Sequence, residues 1–347
     1  MDREDSLEGI PAARQRRLAI AWPAAGVLAL LLLLAVGRPP DDSLAWRTVY
    51  DLGHVPLFGS IALFLLRIFR IVGPPHRRPW VDFLLALLAT VVLSLASEAA
   101  QFGQPGREAS VGDALNNLTG AICFLAIAAS RRPRLWKALD VEGRPTARLV
   151  LVAAVLALAV ALSPLMTVAW HYAMRRAAVP VVVEMGSRWQ LPFISAPRAT
   201  VERVQAPGQW AARSGKPVAR VLFLDAAWPG VTVREPWPDW SDYATLRFDV
   251  WSELTAPVEL ALRVDDGNRI RDYGDRYNGS LIVMPGANEF ALSLSTLMGA
   301  PRDRQMNLAD IAQLVLFTRR PGEPFELYIS DVWLEREPGN EEGGASP

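Results

Sequence analysis

Cysteine is almost missing: Cys123 is the only one in 347 residues. An internal disulfide framework is thereby excluded, and so is any cysteine-based zinc or iron–sulfur site. Net charge is missing as well, with 36 Lys and Arg against 36 Asp and Glu. Without a basic excess to neutralise phosphates, the simplest argument for a nucleic-acid partner is gone. No cofactor is expected, and His54 with Asp51, Glu98 and Asp113, a single histidine without a characteristic ligand motif, is not expected to hold a metal. Charged residues make up 21% of the chain and hydrophobic ones 51%, with a mean hydropathy of +0.17. A chain that is both this apolar and still charged must segregate the two, and its length suggests about two domains.

The apolar residues gather in five runs of the length a bilayer demands, about 20 residues as a helix. They cover roughly 18–37, 55–72, 80–100, 112–130 and 149–170. Strict alternation is absent and each run is too long for a strand. Backbone groups in lipid must be satisfied within the segment, so each run is expected to be a helix. The first resembles a signal peptide in its preceding Arg14, Arg16 and Arg17, but its apolar core exceeds 7–15 residues and an uncleaved span is expected. Arginine and lysine set the orientation. The N-terminal tail 1–17 carries Arg3, Arg14, Arg16 and Arg17, Arg67, Arg70, Arg77 and Arg78 mark the second connection, and the loop 131–148 carries six more cations. The opposite side has only Arg38, Arg47 and Arg107. The N-terminus is therefore expected in the cytoplasm of a bacterium, with the chain beyond span five outside the inner membrane. Trp170 and Tyr172 read as an interfacial aromatic belt.

After a linker at 171–180 the texture changes. Short strand-like runs recur at 201–204, 220–224, 244–251, 258–264, 281–284, 289–294, 314–318 and 325–334, between Pro, Gly, Asp and Asn punctuation. This pattern predicts an all-β sandwich or barrel over 181–337, followed by a disordered tail at 338–347. Within it, Trp237-Pro-Asp-Trp240 leading into Val250, then Asp265-Asp266, the 273–277 loop and the closing 327–332 strand resemble the galactose-binding-like jelly rolls that serve as carbohydrate-binding modules. The resemblance implies a glycan-stacking role for Trp237, Trp240, Tyr273 and Tyr277. The competing reading makes Trp240 and Tyr243 core or strand-edge packing. The resemblance also allows Asp331 to help hold a structural calcium, against a competing turn or solvent role.

The chemistry lies in the helical half, in three pairs at helical spacing. Asp51 and His54 share a face at the start of span two, Glu98 and Gln101 at the end of span three, and Asp113 and Asn117 at the start of span four. The turn 105–107 presents Arg107 between the last two. All fall at one membrane depth, where ionisable groups are costly and mark a functional site by default.

Asp51-x-x-His54 with Phe58 resembles the second-span motif of the VanZ-like membrane proteins. Glu98-x-x-Gln101-Phe102, then Pro105-Gly106-Arg107, Ser110, Asp113, Asn117 and Gly120, resembles that family's longer second block. The resemblance covers about 18–130, and Leu52 departs from it where lysine is common. It implies a four-helix membrane domain of the cell envelope, linked through the founding member to teicoplanin resistance, and no agreed reaction.

Structural roles compete at each position. Ser110-x-x-Asp113 fits a capping box, Asp51 fits a helix cap, and Asn117 with Gly120 fits close helix packing. Cys123 reads as a small packing residue. The expected function is an outward polar pocket for a lipid-linked or cell-wall group, beside a glycan-binding sandwich. The alternative is a non-catalytic membrane anchor that displays the sandwich. The expected partners are membrane lipid and an envelope glycan.

Overall fold

The computed structural model describes residues 12–101, 111–268 and 272–337. It divides into two compact units, 1–168 and 169–347.

The first unit is helical: α1 (Ala12–Val36), α2 (Leu44–Val72), α3 (Pro79–Gln101), α4 (Val111–Ser130), the short α5 (Pro133–Ala138) and α6 (Gly143–Ala178), whose last turns belong to the second unit. Five of these are long and apolar enough to cross a membrane. The shortest, α4, is 20 residues or about 30 Å long, the thickness of a bilayer's hydrocarbon core. Large apolar side chains such as Leu32, Leu33, Leu88, Val92 and Val160 lie exposed along them, as lipid-facing residues would.

Helix α2 starts earlier than the apolar run predicts. Ser43 caps it by accepting a hydrogen bond from the Trp46 amide at 3.3 Å. Asp51 therefore sits two turns inside the helix and is not its cap. The interior of the unit is formed by Phe58, Ile61, Ala62 and Leu66 of α2 against Ala86 of α3 and Ala121 and Leu125 of α4. At Gly120 a Cβ would lie 2.0 Å from the Val55 carbonyl oxygen, so α4 reaches the α2 backbone only because this residue lacks one. On the other side, Trp22 of α1 meets Phe64 of α2 edge-on at 5.6 Å. Arg16 donates to the Ile71 and Val72 carbonyls at 3.1 and 3.2 Å, satisfying acceptors that the end of α2 leaves open. The loop expected at 131–148 contains α5, whose Trp136 donates from Nε1 to the Ala129 carbonyl at 3.1 Å.

The second unit is an antiparallel β-sandwich. Its strands are β1 (Val181–Val183), β2 (Ile194–Ser195), β3 (Ala199–Gln205), β4 (Pro217–Phe223), β5 (Gly230–Arg234), β6 (Thr245–Ser252), β7 (Val258–Asp266), β8 (Tyr277–Val283), β9 (Gly286–Ser293), β10 (Ile311–Phe317) and β11 (Phe325–Glu335). One sheet runs β3-β4-β11-β6-β9, with β1 added on β11, and the other runs β2-β5-β10-β7-β8. Alternation decides which side of each strand is buried. Leu246, Phe248 and Val250 of β6 and Leu260, Leu262 and Val264 of β7 meet in the shared core. Eight expected runs correspond to strands, while β1, β2 and β5 had no counterpart among them.

Two segments differ from expectation. Residues 171–178, expected as a linker, continue α6. There Arg175 is 3% exposed with its guanidinium over Phe193 at 3.3 Å, and Tyr172 donates to the Glu235 carboxylate. Tyr277, expected in a loop, opens β8 opposite Val264 and packs against the core. The tail from Pro338 lies outside the described residues.

Candidate functional site

In the helical unit the polar pairs converge from three helices. His54 of α2 has Nδ1 2.9 Å from Asn117 Oδ1 of α4, and Asn117 Nδ2 donates to Ser94 Oγ of α3 at 2.8 Å. With that amide orientation the imidazole donates from Nδ1, which leaves Nε2 as the acceptor of the neutral ring. Asn117 is wholly buried, and the His54 ring stacks on Phe58 with an 8° interplanar angle. One residue before it, Asn116 donates to the Asp51 carbonyl at 3.0 Å. Asp51, His54 and Glu98 lie within electrostatic reach of Asp113, so these four groups share one neighbourhood at the end of the bundle. Five of the seven residues expected there come together. The Gln101 side chain and Arg107, with the 102–110 segment, lie outside the described residues.

Ser94 was missed by the sequence reading. It stands one turn before Glu98 on the same face, but a serine in an apolar helix signals little, because its hydroxyl is readily satisfied on its own helix. Thr90 shows this, bonding the Ala86 carbonyl at 2.7 Å. Thr90, Ser94, Val111, Leu115, Asn117 and Leu118 line a groove of about 200 Å³ between α3 and α4.

In the sandwich, the expected aromatic positions separate. Trp240 is completely buried, and its Nε1 donates to the Trp237 carbonyl at 2.6 Å. Its ring has no free face, so the stacking role expected of it is withdrawn in favour of the core reading. Trp237 is half-buried against the same core, as is Tyr277. Only Tyr273 is strongly exposed, at 67%, with the Arg276 guanidinium over its ring at 5.4 Å.

Burial alternation shows which residues the five-stranded sheet turns outward. The register aligns Thr232 of β5, Val315 of β10, Arg263 of β7 and Asn278 of β8 in one row. Arg234, Gln313 and Asp265 form the next. Asp265 takes two bonds from Arg263, at 2.7 and 2.8 Å, and one from Gln313 at 2.8 Å. Tyr273 and Arg276 precede β8 at one end of this surface, Arg276 donating to Asn278 at 3.1 Å. At the other end Phe317 meets Trp228 edge-on at 5.8 Å. Trp228 is 54% exposed, has φ +59°, and borders a cleft of about 770 Å³ with Glu259, Ala261, Phe317 and Arg319. A bulky non-glycine residue held at positive φ is a costly conformation that marks functional positions more often than chance. No periodic signal in the sequence distinguished Trp228, since it stands in a turn.

Part of the six-stranded sheet's outer face is covered instead, while Glu202, Arg220 and Glu326 stay exposed on it. Trp210, 2% exposed, stacks on Trp251 at 6.2 Å, and Arg213 bonds Asp249 at 2.7 and 3.0 Å. Asp331 is 3.7 Å from that same guanidinium, in an ion pair rather than a turn. Among the described residues no group of three His, Cys, Asp or Glu is placed to hold a metal ion.

No protein-family model and no curated protein matches the chain. Several solved structures are similar to part of it. An exo-beta-agarase shares 17% identity over 46% of this chain and 25% of its own, with a TM-score of 0.37. A family 11 carbohydrate-binding module from Clostridium thermocellum, in complex with a beta-1,3-1,4-mixed-linked tetrasaccharide, shares 13% identity over 42% of this chain and 89% of its own, with a TM-score of 0.33. The matched part spans about a quarter of the agarase. At such scores the likeness carries no argument for a shared site, and the sandwich assignment stands on its own sheet pairing.

Proposed function

We propose that the chain is a multi-pass envelope protein of the bacterial inner membrane, VanZ-like over 18–130, whose extracytoplasmic sandwich holds a glycan on the outward face of its five-stranded sheet. The observation that carries the glycan reading is the pairing of exposed aromatic rings, Trp228 and Tyr273, at opposite ends of a surface lined by Arg263, Asp265, Asn278 and Gln313. Aromatic faces take the C–H side of a sugar ring while fixed polar groups meet its hydroxyls, the usual division of labour in a ligand groove. Tethering the sandwich to a membrane raises the effective concentration of bound glycan there.

In this reading the cluster of Asp51, His54, Glu98, Asp113 and Asn117 is an outward pocket for a polar head group, and Gln101 and Arg107 belong to it by sequence position alone. If it performs chemistry, Glu98 or Asp51 with His54 supplies the acid and base, and Arg107 holds an anion. A second reading, a non-catalytic anchor, is favoured by one observation: the His54–Asn117–Ser94 bonds run between helices and serve packing without any ligand.

Two experiments test these readings. Retention of the full-length protein on purified cell-wall polysaccharide should fall roughly tenfold in Trp228→Ala and in Tyr273→Ala, and unchanged retention in both would remove the glycan role. Glu98→Gln should abolish the envelope phenotype at unchanged stability. A variant as stable and as active as the parent leaves only the anchor.

A further inference from the structure

A second cleft of the sandwich, about 730 Å³, opens among residues outside both candidate sites. Trp170, Glu184, Arg188, Trp189, Lys216 and Asp331 line it, with Arg203 at its edge. Its volume falls in the range of small-molecule sites, and its charges are mixed.

Several of these groups already have partners. Arg203 donates to the Gly186 carbonyl at 2.6 Å, and Trp189 donates from Nε1 to Glu184 at 3.2 Å. Arg213 gives Asp331 only a 3.7 Å contact and keeps its short bonds for Asp249. Burial pushes the Asp331 carboxyl above its ordinary range, and nearby Glu184 adds to the effect while Arg213 and Lys216 oppose it. A cation beside Asp331 would relieve that imbalance. Of the cleft's cations, neither Arg188 nor Lys216 is held in an ion pair within 4 Å among the described residues. A purely anionic ligand would meet two carboxylates here, and a purely cationic one would meet three cations. A zwitterion satisfies both signs of charge.

Trp170 indicates where such a zwitterion comes from. It ends the apolar run 149–170 and is 51% exposed. Tryptophan at the end of an apolar membrane run is enriched at headgroup level. We infer that this cleft binds the phospho-ammonium headgroup of a membrane lipid of the phosphatidylethanolamine class, with phosphate on Arg188 and Lys216 and the ammonium on Asp331 and Glu184. A primary ammonium has three donors to give to those carboxylates and a quaternary one has none, so the site discriminates between the two.

The test uses the full-length protein in nanodiscs of equimolar phosphatidylethanolamine, phosphatidylglycerol and phosphatidylcholine, with retained lipid read by native mass spectrometry. Phosphatidylethanolamine should dominate the adducts, and its share should fall roughly tenfold in Lys216→Gln and in Asp331→Asn. Arg188→Gln, at an exposed position, covers the case in which the Asp331 variant misfolds. Equal or greater retention of either other lipid overturns the inference. So does a preference that all three variants leave intact, or displacement by free phosphoethanolamine at concentrations matching the lipid. The inference needs α6 to reach a membrane surface but not the glycan role. Trp228→Ala and Tyr273→Ala should keep the lipid preference, so the two readings fail separately.

Discussion

At the scale of single residues, the sandwich is tied together by one ionic group that its function does not use. The Asp266 side chain is 1% exposed and takes bonds from Arg304 at 2.8 Å and from the Asn307 amide at 2.8 Å, while Arg304 also reaches Asp275 at 2.6 Å. Burial alone would raise the Asp266 carboxyl, but these bonds hold it below the ordinary carboxylate range. A depressed folded value means that the stabilisation is present above the unfolded pKa, near 4, and lost as pH falls through the lower folded value. Asp331, raised by burial, works in the opposite sense and costs stability as pH climbs through its own range. Amides of β7 and of the 301–310 segment should therefore lose hydrogen-exchange protection below about pH 4. Arg304→Met, which strands a buried carboxylate, should cost those amides roughly 3 kcal/mol at neutral pH. Protection that ignores both acid and substitution would show the group to be decorative.

Helix pairing depends on a different kind of detail. Helices α2 and α4 approach until a Cβ at Gly120 would collide with the Val55 carbonyl, and Asn117, one turn earlier on α4, closes the bonds to α2 and α3 at the same crossing. Close backbone approach and interhelical hydrogen bonds replace the hydrophobic drive that lipid cannot supply. Gly120→Leu should push the helices apart and break the His54–Asn117 bond. The expected result is a thermal midpoint in detergent lowered by several degrees, with the phenotype lost alongside. An unchanged midpoint would mean that α4 does not cross α2 at this residue. Element boundaries were less legible than element types. Span two is expected from Val55 because only there does the chain turn uniformly apolar. The helix starts at Leu44 because Ser43 caps it, a local bond that hydropathy does not register. The three strands overlooked at 181–183, 194–195 and 230–234 are all five residues or shorter, too short for alternation to appear.

For the molecule as a whole, the segregation of apolar and polar sequence predicts opposite exposures for the two ends of α6. In a Cys123→Ala background, a cysteine at Ser295 in the sandwich should react with a membrane-impermeant maleimide in intact spheroplasts. A cysteine at Glu142 in the arginine-rich loop should react only after permeabilisation. The reverse pattern would invert the topology and place the sandwich in the cytoplasm.

The candidate sites divide along the same line. Asp51, His54, Glu98, Asp113 and Asn117 were legible because ionisable and amide groups stand out in apolar helices, where helical spacing alone puts them on common faces. The aromatic candidates were not, because a tryptophan near a strand reads the same whether its ring enters the core, as at Trp240, or leaves it, as at Trp228. Composition and periodicity by themselves determined five membrane-length helices followed by a sandwich, since solvent and lipid act on every residue of a run together. Only the tertiary structure decided that Asn117 joins three helices, that Trp240 is core, and that Lys216 and Asp331 face one cleft. Each of those facts depends on residues distant in the chain meeting at contact range, which no local pattern encodes.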